Sequence, residues 1–230
     1  MRKQILDHGY LQLVETWGSD ERIIEAARMS TDKGFLGWGT PEEPGDERLL
    51  AYLMKNRHDT PFEMAGLIVE VQAPIFVFRE WHRHRTQAFN ELSARYTPLP
   101  DMNYMPTAER CLVVNGANKQ ANNSQGSREL THDAAIFWLE QLNALYVQAE
   151  DVYRLGLEFG IPKELARLPV PVARYSRMRA SANLRNWLAF LTLRQAPNAQ
   201  YEIRVFANAL GEIIAEKFPR TWELFLKRSA

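Results

Sequence analysis

The sequence has one cysteine, Cys111, among 230 residues, and no excess of either charge. A single cysteine excludes a disulfide within the chain and fits a reducing compartment. A nucleic-acid-binding protein usually has a basic excess, so the formal net charge of +0 argues against that class. No apolar run is long enough to span a bilayer, and the first residues lack the apolar region of a signal peptide. We therefore expect a cytoplasmic protein that binds neither nucleic acid nor membrane.

Several catalytic and cofactor motifs are also absent. The sequence has no Cys/His cluster of the kind that holds zinc, and His82 and His84 would point apart on a helix, so we expect no metal site. It lacks the glycine-rich motifs of dinucleotide and P-loop sites and the G-x-S-x-G elbow. Ser93, His84 and Glu91 include the residue types of a hydrolase triad, but their spacing does not supply its geometry.

Hydrophobic periodicity predicts a single α+β domain over residues 1–230, because the few strands are separated by helices. Strands are predicted at 10–15, 67–72 and 172–179. Helices are predicted after Ser19, from Asp46, over 75–81, 131–160, 163–167 and 184–194, from Pro197 or Asn198 to Lys217, and after Pro219. The 131–160 helix has an apolar stripe that includes Trp138, Leu145 and Val152, which we expect in the core. No function is predicted for residues 115–128.

Arginine is concentrated in two places. The stretch from Arg83 to Tyr96 combines three arginines with a histidine, a carboxylate, an amide and a serine, and the segment from Arg167 to Arg204 has seven arginines and one carboxylate, Glu202. Arginine suits bidentate recognition of phosphate or carboxylate, so both segments indicate anion binding. The alternative is that the arginines form a solvated basic face or pair with distant acids, most of which precede residue 71.

The first segment also carries a long motif. Arg83-His84-Arg85-x-x-Ala88-x-Asn90-Glu91-x-Ser93-x-Arg95-Tyr96 resembles the R-H-R-x-x-S-x-N-E-x-S-x-R-Y signature of flavin-dependent thymidylate synthases. The segment His58-x-Thr60-Pro61-Phe62-Glu63 is similar to the H-x-T-P-F-E segment of that family, and further elements follow in the same order. The resemblance covers nearly the whole chain apart from residues 115–128.

The resemblance implies a homotetramer with a mixed sheet, several long helices and active sites shared between subunits. It implies reductive methylation of dUMP to dTMP, with methylenetetrahydrofolate as carbon donor and NADPH-reduced FAD as hydride donor. The implied catalytic residues are Arg194 and His58. The implied FAD contacts are Ser30, Thr60, Arg83, His84, Arg85, Asn183, Arg185 and Asn198. The implied nucleotide contacts are Glu91, Ser93, Ala94, Arg95, Arg167 and Arg194.

The chain departs from the family pattern at five of these motif positions. Ala88 replaces the first serine of the signature, Met64 and Ala94 replace a common histidine and glycine, and Ala189 and Asn198 replace a common asparagine and histidine. Glu80 lies one helical turn before the motif and could accept a hydrogen bond from a ribose 2′-hydroxyl, so it is also a predicted nucleotide contact. The alternative is therefore a related pyrimidine nucleotide C5-methylase or hydroxymethylase that acts on UMP as well as or instead of dUMP. A distant alternative is a non-enzymatic nucleic-acid-binding module that uses the arginine-rich stretch.

Overall fold

A five-stranded sheet forms the centre of the protein in a computed structural model that describes residues 1–40, 42–113 and 130–229. Its strands are β1 (Arg2–Ile5), β2 (Gly9–Trp17), β3 (Gly66–Pro74), β4 (Ala88–Glu91) and β5 (Tyr175–Asn183), in the order β1-β2-β3-β5-β4. All four pairings are antiparallel, so the sheet expected to be mixed has no parallel pair within the described ranges. The 115–128 segment lies outside the described residues.

Nine helices accompany the sheet in the described ranges: α1 (Asp20–Arg28), α2 (Asp46–Lys55), α3 (Ile75–Trp81), α4 (Ala108–Leu112), α5 (His132–Glu158), α6 (Lys163–Ala166), α7 (Leu184–Arg194), α8 (Tyr201–Lys217) and α9 (Pro219–Ser229). Residues Thr60–Met64 add a 3₁₀ helix. The predicted starts of α1 and α5 are confirmed, since Ser19 and Thr131 cap these helices by accepting backbone N–H bonds at 3.3 and 3.2 Å. Helix α8 begins later than predicted, because residues 196–199 form a separate turn. No helix of the described part is long and apolar enough to cross a bilayer.

The sheet buries one side of each central strand. In β5, Met178, Ala180 and Ala182 are buried and belong to one core with residues of α1, α2, α3, α7, α8 and α9, whereas Arg177 and Arg179 are exposed. This alternation is the period of two expected for a strand with one buried face. The architecture is therefore a single-domain α+β fold, as the sequence predicted.

Helix α5 does not enter that core. Trp138, Leu145 and Val152, expected to be buried, are 51%, 56% and 50% exposed. The helix instead places Tyr146 in a small separate cluster with Tyr104 and other residues that precede or begin β5. The prediction of core burial was wrong for these three residues, because periodicity identifies an apolar face but not whether that face is covered by the same chain. Ala135 and Tyr153 of the same helix are buried, as predicted.

Candidate active site

The turn that follows α3 is fastened to α7 by an aromatic cluster. Trp81, the last residue of α3, packs on Phe190 with ring centroids 4.7 Å apart and donates its indole N–H to Gln87 at 2.9 Å. Asn186 of α7 donates from Nδ2 to the backbone oxygen of Thr86 at 3.0 Å. The segment between α3 and β4 therefore has a fixed position relative to α7, which allows residues distant in sequence to meet.

Three predicted site residues meet at this junction. Arg194, at the end of α7, donates from Nε to Nε2 of His84 at 2.8 Å and from Nη1 to Oε2 of Glu80 at 2.8 Å. It also donates from Nη2 to the backbone oxygen of Glu80 at 3.1 Å. A planar guanidinium held through three nitrogens has little rotational freedom left. Glu80 and Arg194 are 114 residues apart in sequence, so the fold assembles this group.

The imidazole of His84 is half-buried and lies edge-on to Phe190, with ring centroids 4.8 Å apart. Burial, reinforced by the positive charge of Arg194, lowers the pKa of His84 from 6.5 to about 4. The ring is therefore neutral near pH 7. A neutral Nε2 can accept the Arg194 N–H bond, which a protonated ring could not.

Glu80, Arg194 and Asn198 line a cavity of about 790 Å³. Its wall also contains a buried polar group that the sequence did not single out: Glu202 accepts from Nε of Arg110 at 2.9 Å and from the hydroxyl of Tyr104 at 3.1 Å. Burial beside Glu202 raises the pKa of Tyr104 above its ordinary range, so its hydroxyl stays protonated. The available signal was that Glu202 is the lone carboxylate of an arginine-rich segment.

His58 and Thr60 lie together elsewhere, in a groove of about 300 Å³ at the 3₁₀ helix. The small side chains of Ala26 and Ala27 form its other wall, together with Leu53 and Met64. Ser30, just after α1, is exposed and donates its hydroxyl to the backbone oxygen of Ala27 at 3.2 Å. Ser30 therefore lies beside α1, the helix whose Ala26 and Ala27 line the groove of His58 and Thr60.

Asn183 and Arg185 stand at the start of α7. The Asn183 carboxamide oxygen accepts from the Asn186 backbone N–H at 3.0 Å, so it caps the helix and leaves its Nδ2 as the remaining donor. Arg185 bonds Glu63 at 2.9 Å and approaches Asp59 at 3.5 Å. These bonds connect the start of α7 to the 3₁₀ helix.

Arg83 and Arg85 are exposed and form no ion pair or hydrogen bond through their side chains within residues 1–40, 42–113 and 130–229. They follow α3 on the turn that Gln87 and Asn186 hold in place. Ala88, the departure from the signature, is also exposed and opens the edge strand β4 opposite Ser181. Two arginines with uncompensated charge can bind phosphate groups without first breaking protein contacts.

The second half of the signature lies near α6. Arg95 pairs with Glu164 of α6 at 3.0 Å, and Arg167 is the exposed residue that ends the same helix. Ser93 accepts the backbone N–H of Arg95 at 3.3 Å, and Ala94 is buried. Glu91 ends β4 opposite Met178. The structure therefore gathers Arg95 and Arg167, but neither lines the cavity that holds Arg194 in the described part of the chain.

The arginines between residues 167 and 204 do not form one anion site. Arg174 is fully buried and bonds Glu150 at 2.6 Å and the backbone oxygen of Pro100 at 2.9 Å, so its role is structural. Arg179 pairs with Glu70 at 3.2 Å, and Arg185 and Arg194 have the partners given above. The Arg167–Arg204 segment is therefore not one anion-binding surface, and the alternative of pairing with distant acids holds for these four residues.

The predicted residues therefore occupy separate places on one protomer: the Arg194 junction, the His58 groove, the start of α7, and the surface near α6. No group of three or more His, Cys, Asp or Glu side chains in the described ranges is arranged to hold a metal ion. What the arrangement offers is cationic and neutral hydrogen-bond donors around cavities, which suits recognition of phosphates and polar rings.

Comparison with known proteins supplies the family. The profile described as "Thymidylate synthase complementing protein" matches residues 12–220. A flavin-dependent thymidylate synthase of Thermus thermophilus is 40% identical over 221 residues, covering 96% of this chain and 77% of the relative. That of Thermosipho africanus is 39% identical over 227 residues, covering 99% and 95%.

A solved structure has the same fold. The structure of "a UMP/dUMP methylase PolB from Streptomyces cacaoi bound with 5-Br UMP" superposes with a TM-score of 0.80 at 33% identity, covering 96% of this chain and 95% of that one. The profile match, the sequence identities and the shared fold extend over almost the same residues. The chain belongs to the thymidylate synthase complementing protein family, which includes the flavin-dependent thymidylate synthases.

Proposed function

We propose that the protein catalyses reductive methylation of dUMP to dTMP. The observation that carries the proposal is Arg194, held in the cavity wall by Glu80 and His84. A guanidinium fixed in this way would stabilise the negative charge that develops on a pyrimidine ring when C6 accepts a hydride. The same residue would bind the ring before the reaction.

FAD fits the residues present. Arg83 and Arg85 offer guanidinium groups that have no side-chain partner within the described residues, and these suit its diphosphate. Within the same residues the Nδ2 of Asn183 is left as a donor after the side chain caps α7. Ser30 and Thr60 supply hydroxyls at or beside the groove of about 300 Å³. FAD, reduced by NADPH, supplies the hydride, and methylenetetrahydrofolate supplies the carbon. His58 would line the ring and folate side of the groove and exclude water there.

Arg95 and Arg167 are proposed to bind the nucleotide phosphate, since Arg95 pairs with a residue of α6 and Arg167 directly follows that helix. The Arg167 side chain has no partner within the described residues. Ser93 and Glu91 would add polar contacts there, beside the buried Ala94. The ion pair between Arg95 and Glu164 is exposed, so a phosphate can displace it at little cost.

A homotetramer with shared sites is part of the proposal. Exposed apolar side chains recur every seven residues along α5 and at the residue that follows it: Trp138, Leu145, Val152 and Phe159. This is the spacing of a helix–helix contact. The separation of Arg95 and Arg167 from Arg194 has the same consequence, because a second subunit would bring the two sets together. A cytoplasmic location is proposed because the substrates are cytoplasmic metabolites.

The test is anaerobic incubation of the purified protein with methylenetetrahydrofolate, NADPH and either dUMP or UMP, followed by mass measurement of the nucleotide. We expect the yellow protein to bleach with NADPH and the dUMP mass to rise by one methylene unit. A colourless protein with strongly salt-dependent binding to DNA or RNA would instead support the nucleic-acid-binding alternative.

UMP is a second candidate substrate. One oxygen of Glu80, Oε2, accepts from Arg194, while Oε1 has no protein partner within the described residues and lines the cavity. That oxygen can accept a hydrogen bond from a 2′-hydroxyl, which UMP has and dUMP lacks. The structural relative PolB is described as a UMP/dUMP methylase.

Glu80→Gln separates this specificity from general activity. The amide oxygen preserves a bond to Arg194, so any loss from that bond affects both nucleotides. The ratio of kcat/KM for UMP to that for dUMP should fall roughly tenfold, as expected for one charged hydrogen bond. An unchanged ratio, or no UMP turnover by the unaltered protein, would exclude Glu80 as a 2′-hydroxyl acceptor.

A further inference from the structure

A second groove, of about 720 Å³, lies where the ends of α2, α7 and α9 meet. Its floor is apolar and its rim carries three arginines, Arg57, Arg185 and Arg228. Asp59 is the one carboxylate among its described lining residues, and it lies 3.5 Å from Arg185. The rim therefore has a net positive charge over an apolar surface, which suits a ligand with an apolar body and an anionic end.

Two of these arginines have at most one weak polar contact within the described residues. The side chain of Arg57 is exposed and has no hydrogen-bond or ion-pair partner in the part of the chain that the structure describes. Arg228 contacts the sulfur of Met54 at 3.8 Å, a weak interaction for a guanidinium. Both groups are thus available to a carboxylate or phosphate.

The backbone conformation of Arg57 indicates that its side chain has a function. Arg57 has φ 56°, in the left-handed region, just after the C-cap residue Asn56 of α2. The next residue, His58, donates its N–H to the backbone oxygen of Leu53 at 3.0 Å, which completes a helix-ending motif whose left-handed position is usually glycine. Glycine adopts this conformation without a steric penalty, whereas arginine is strained in it.

A strained residue without protein contacts is stable only if the rest of the fold imposes it, and such residues concentrate at binding sites. The position also lies beside two grooves. His58, adjacent to Arg57, lines the 300 Å³ groove that the proposed function assigns to the ring and folate side, while Arg57 lines the 720 Å³ groove. Consecutive Cα atoms are about 3.8 Å apart, so the Arg57 groove is within reach of the arm of a ligand bound beside His58.

We propose that this groove binds the anionic arm of a cosubstrate, with Arg57 and Arg228 as the groups that contact it. Two cosubstrates carry such an arm: reduced folate, through its glutamate carboxylates, and NADPH, through its 2′-phosphate. Arginine forms bidentate bonds with both kinds of anion. This inference rests on the proposed function for the identity of the cosubstrates, but not for the existence of an anion-binding groove.

Arg57→Gly is the decisive variant because strain and binding change in opposite directions. Removing the strain should raise the melting temperature by about 2 °C, as expected for a chain of this size. Removing the cation should weaken cosubstrate binding roughly tenfold, the equivalent of one charge-assisted bond. A residue with a merely structural role would not lose affinity while gaining stability.

Two comparisons distinguish the sources of the arm. KM for methylenetetrahydrofolate with one and with five glutamates tests the folate arm, and the ratio of KM for NADPH to KM for NADH tests the phosphate arm. The effect should be confined to the pentaglutamate form or to NADPH, and Arg228→Ala should repeat it. Arg48→Ala, which removes the same charge from the exposed side of α2, is the matched control and should behave as the unaltered protein.

Equilibrium binding provides a readout independent of turnover. Quenching of tryptophan fluorescence by 5-formyltetrahydrofolate with one or five glutamates, and by NADPH or NADH, gives dissociation constants directly. If Arg57→Gly and Arg228→Ala bind all four probes as the unaltered protein does, the groove proposal is overturned and the proposed function stands. If the unaltered protein methylates no nucleotide, the proposed function fails and the titration still decides whether the groove binds an anionic arm.

Discussion

The three hydrogen bonds of Arg194 are the contacts on which the proposed chemistry depends most. Arg194→Lys retains the charge, but a single ammonium group cannot reach His84, the carboxylate oxygen of Glu80 and the backbone oxygen of Glu80 at once. We expect kcat to fall about 100-fold, the usual cost of a lost donor to developing charge. Steady-state rates of tritium release from 5-tritiated dUMP measure it.

Arg204→Lys is the matched control, since Arg204 lines the same cavity and its side chain bonds only the backbone oxygen of Pro197, at 2.6 Å, within the described residues. Its kcat should stay within about twofold of the unaltered protein, because a lysine can replace a single bond to a carbonyl. Equal losses of kcat in the two variants would mean that catalysis requires an arginine at either position. The three hydrogen bonds of Arg194 would then have no special role.

The depressed pKa of His84 predicts a pH dependence of stability. The unfolded state binds a proton near pH 6.5, whereas the folded state resists it until about pH 4. Stability is therefore fully present above about pH 6.5 and is lost as pH falls towards 4. After allowance for the partial exposure of the ring, the loss should be about 1 kcal/mol.

Urea unfolding of the unaltered protein and of His84→Gln, measured at pH 7.5 and pH 4.5, isolates this contribution. The free-energy difference between the two proteins should shift in favour of the variant at the lower pH. His132→Gln, which removes an exposed histidine at the start of α5, is the control and should show no such shift. A pH-independent difference for His84→Gln would contradict the burial of a neutral ring.

At the scale of elements, helix α9 is held by an acid from the other end of the chain. Asp20, buried at the start of α1, accepts the backbone N–H groups of Arg220 and Thr221 at 2.9 and 3.2 Å and the Thr221 hydroxyl at 2.6 Å. These N–H groups lie in the first turn of α9 and have no partner within that helix. The carboxylate therefore couples α1 to α9.

Asp20→Ala should lower the free energy of unfolding by about 3 kcal/mol, because it leaves buried donors unpaired and removes a cap. Glu25→Ala, on the exposed end of the same helix, should cost less than about 0.5 kcal/mol, since its pair with Arg22 is at the surface. Denaturant unfolding of both variants measures the difference. Similar small losses would show that the Asp20 bonds contribute little.

The helix boundaries show which parts of the structure are encoded locally. The caps at Ser19, Thr131 and Asn183 were predictable, because each rests on a side chain bonded to a backbone group three residues away. The cap of α9 by Asp20 was not, because its partners are 200 and 201 residues distant. The antiparallel direction of every strand pair likewise depends on the chain's path between strands.

The candidate site was likewise predictable only in part from the sequence. The motif identified Arg83 to Arg95 and Arg194 as chemically active residue types, and the fold then joined Arg194 to His84 and Glu80. It did not reveal that Arg174 is buried or that Glu202 and Arg110 line the cavity. An arginine bound to a phosphate and one bound to a buried carboxylate have the same sequence pattern, and they differ in what the tertiary structure places beside them.

At the scale of the whole molecule, the uncovered apolar side of α5 predicts that one protomer is incomplete. Leu145 lies in the middle of this side, between Trp138 and Val152 one heptad away in each direction. Leu145→Glu would place a charge in a contact that excludes water, at a cost of several kcal/mol per interface. We expect dissociation of the proposed tetramer, measured by light scattering coupled to size-exclusion chromatography.

Dissociation should remove activity as well, since Arg95 and Arg167 would no longer be brought to the Arg194 cavity by a second subunit. The separated protomer should stay folded although its activity is lost, because Leu145 is outside the core. Its melting temperature should therefore fall by a smaller fraction than its activity. Asn143→Glu adds the same charge to an exposed position on another side of α5 and should leave both mass and activity unchanged. A Leu145→Glu protein that is monomeric yet fully active would show that each protomer carries a complete site, and a tetrameric one would show that α5 forms no contact between subunits.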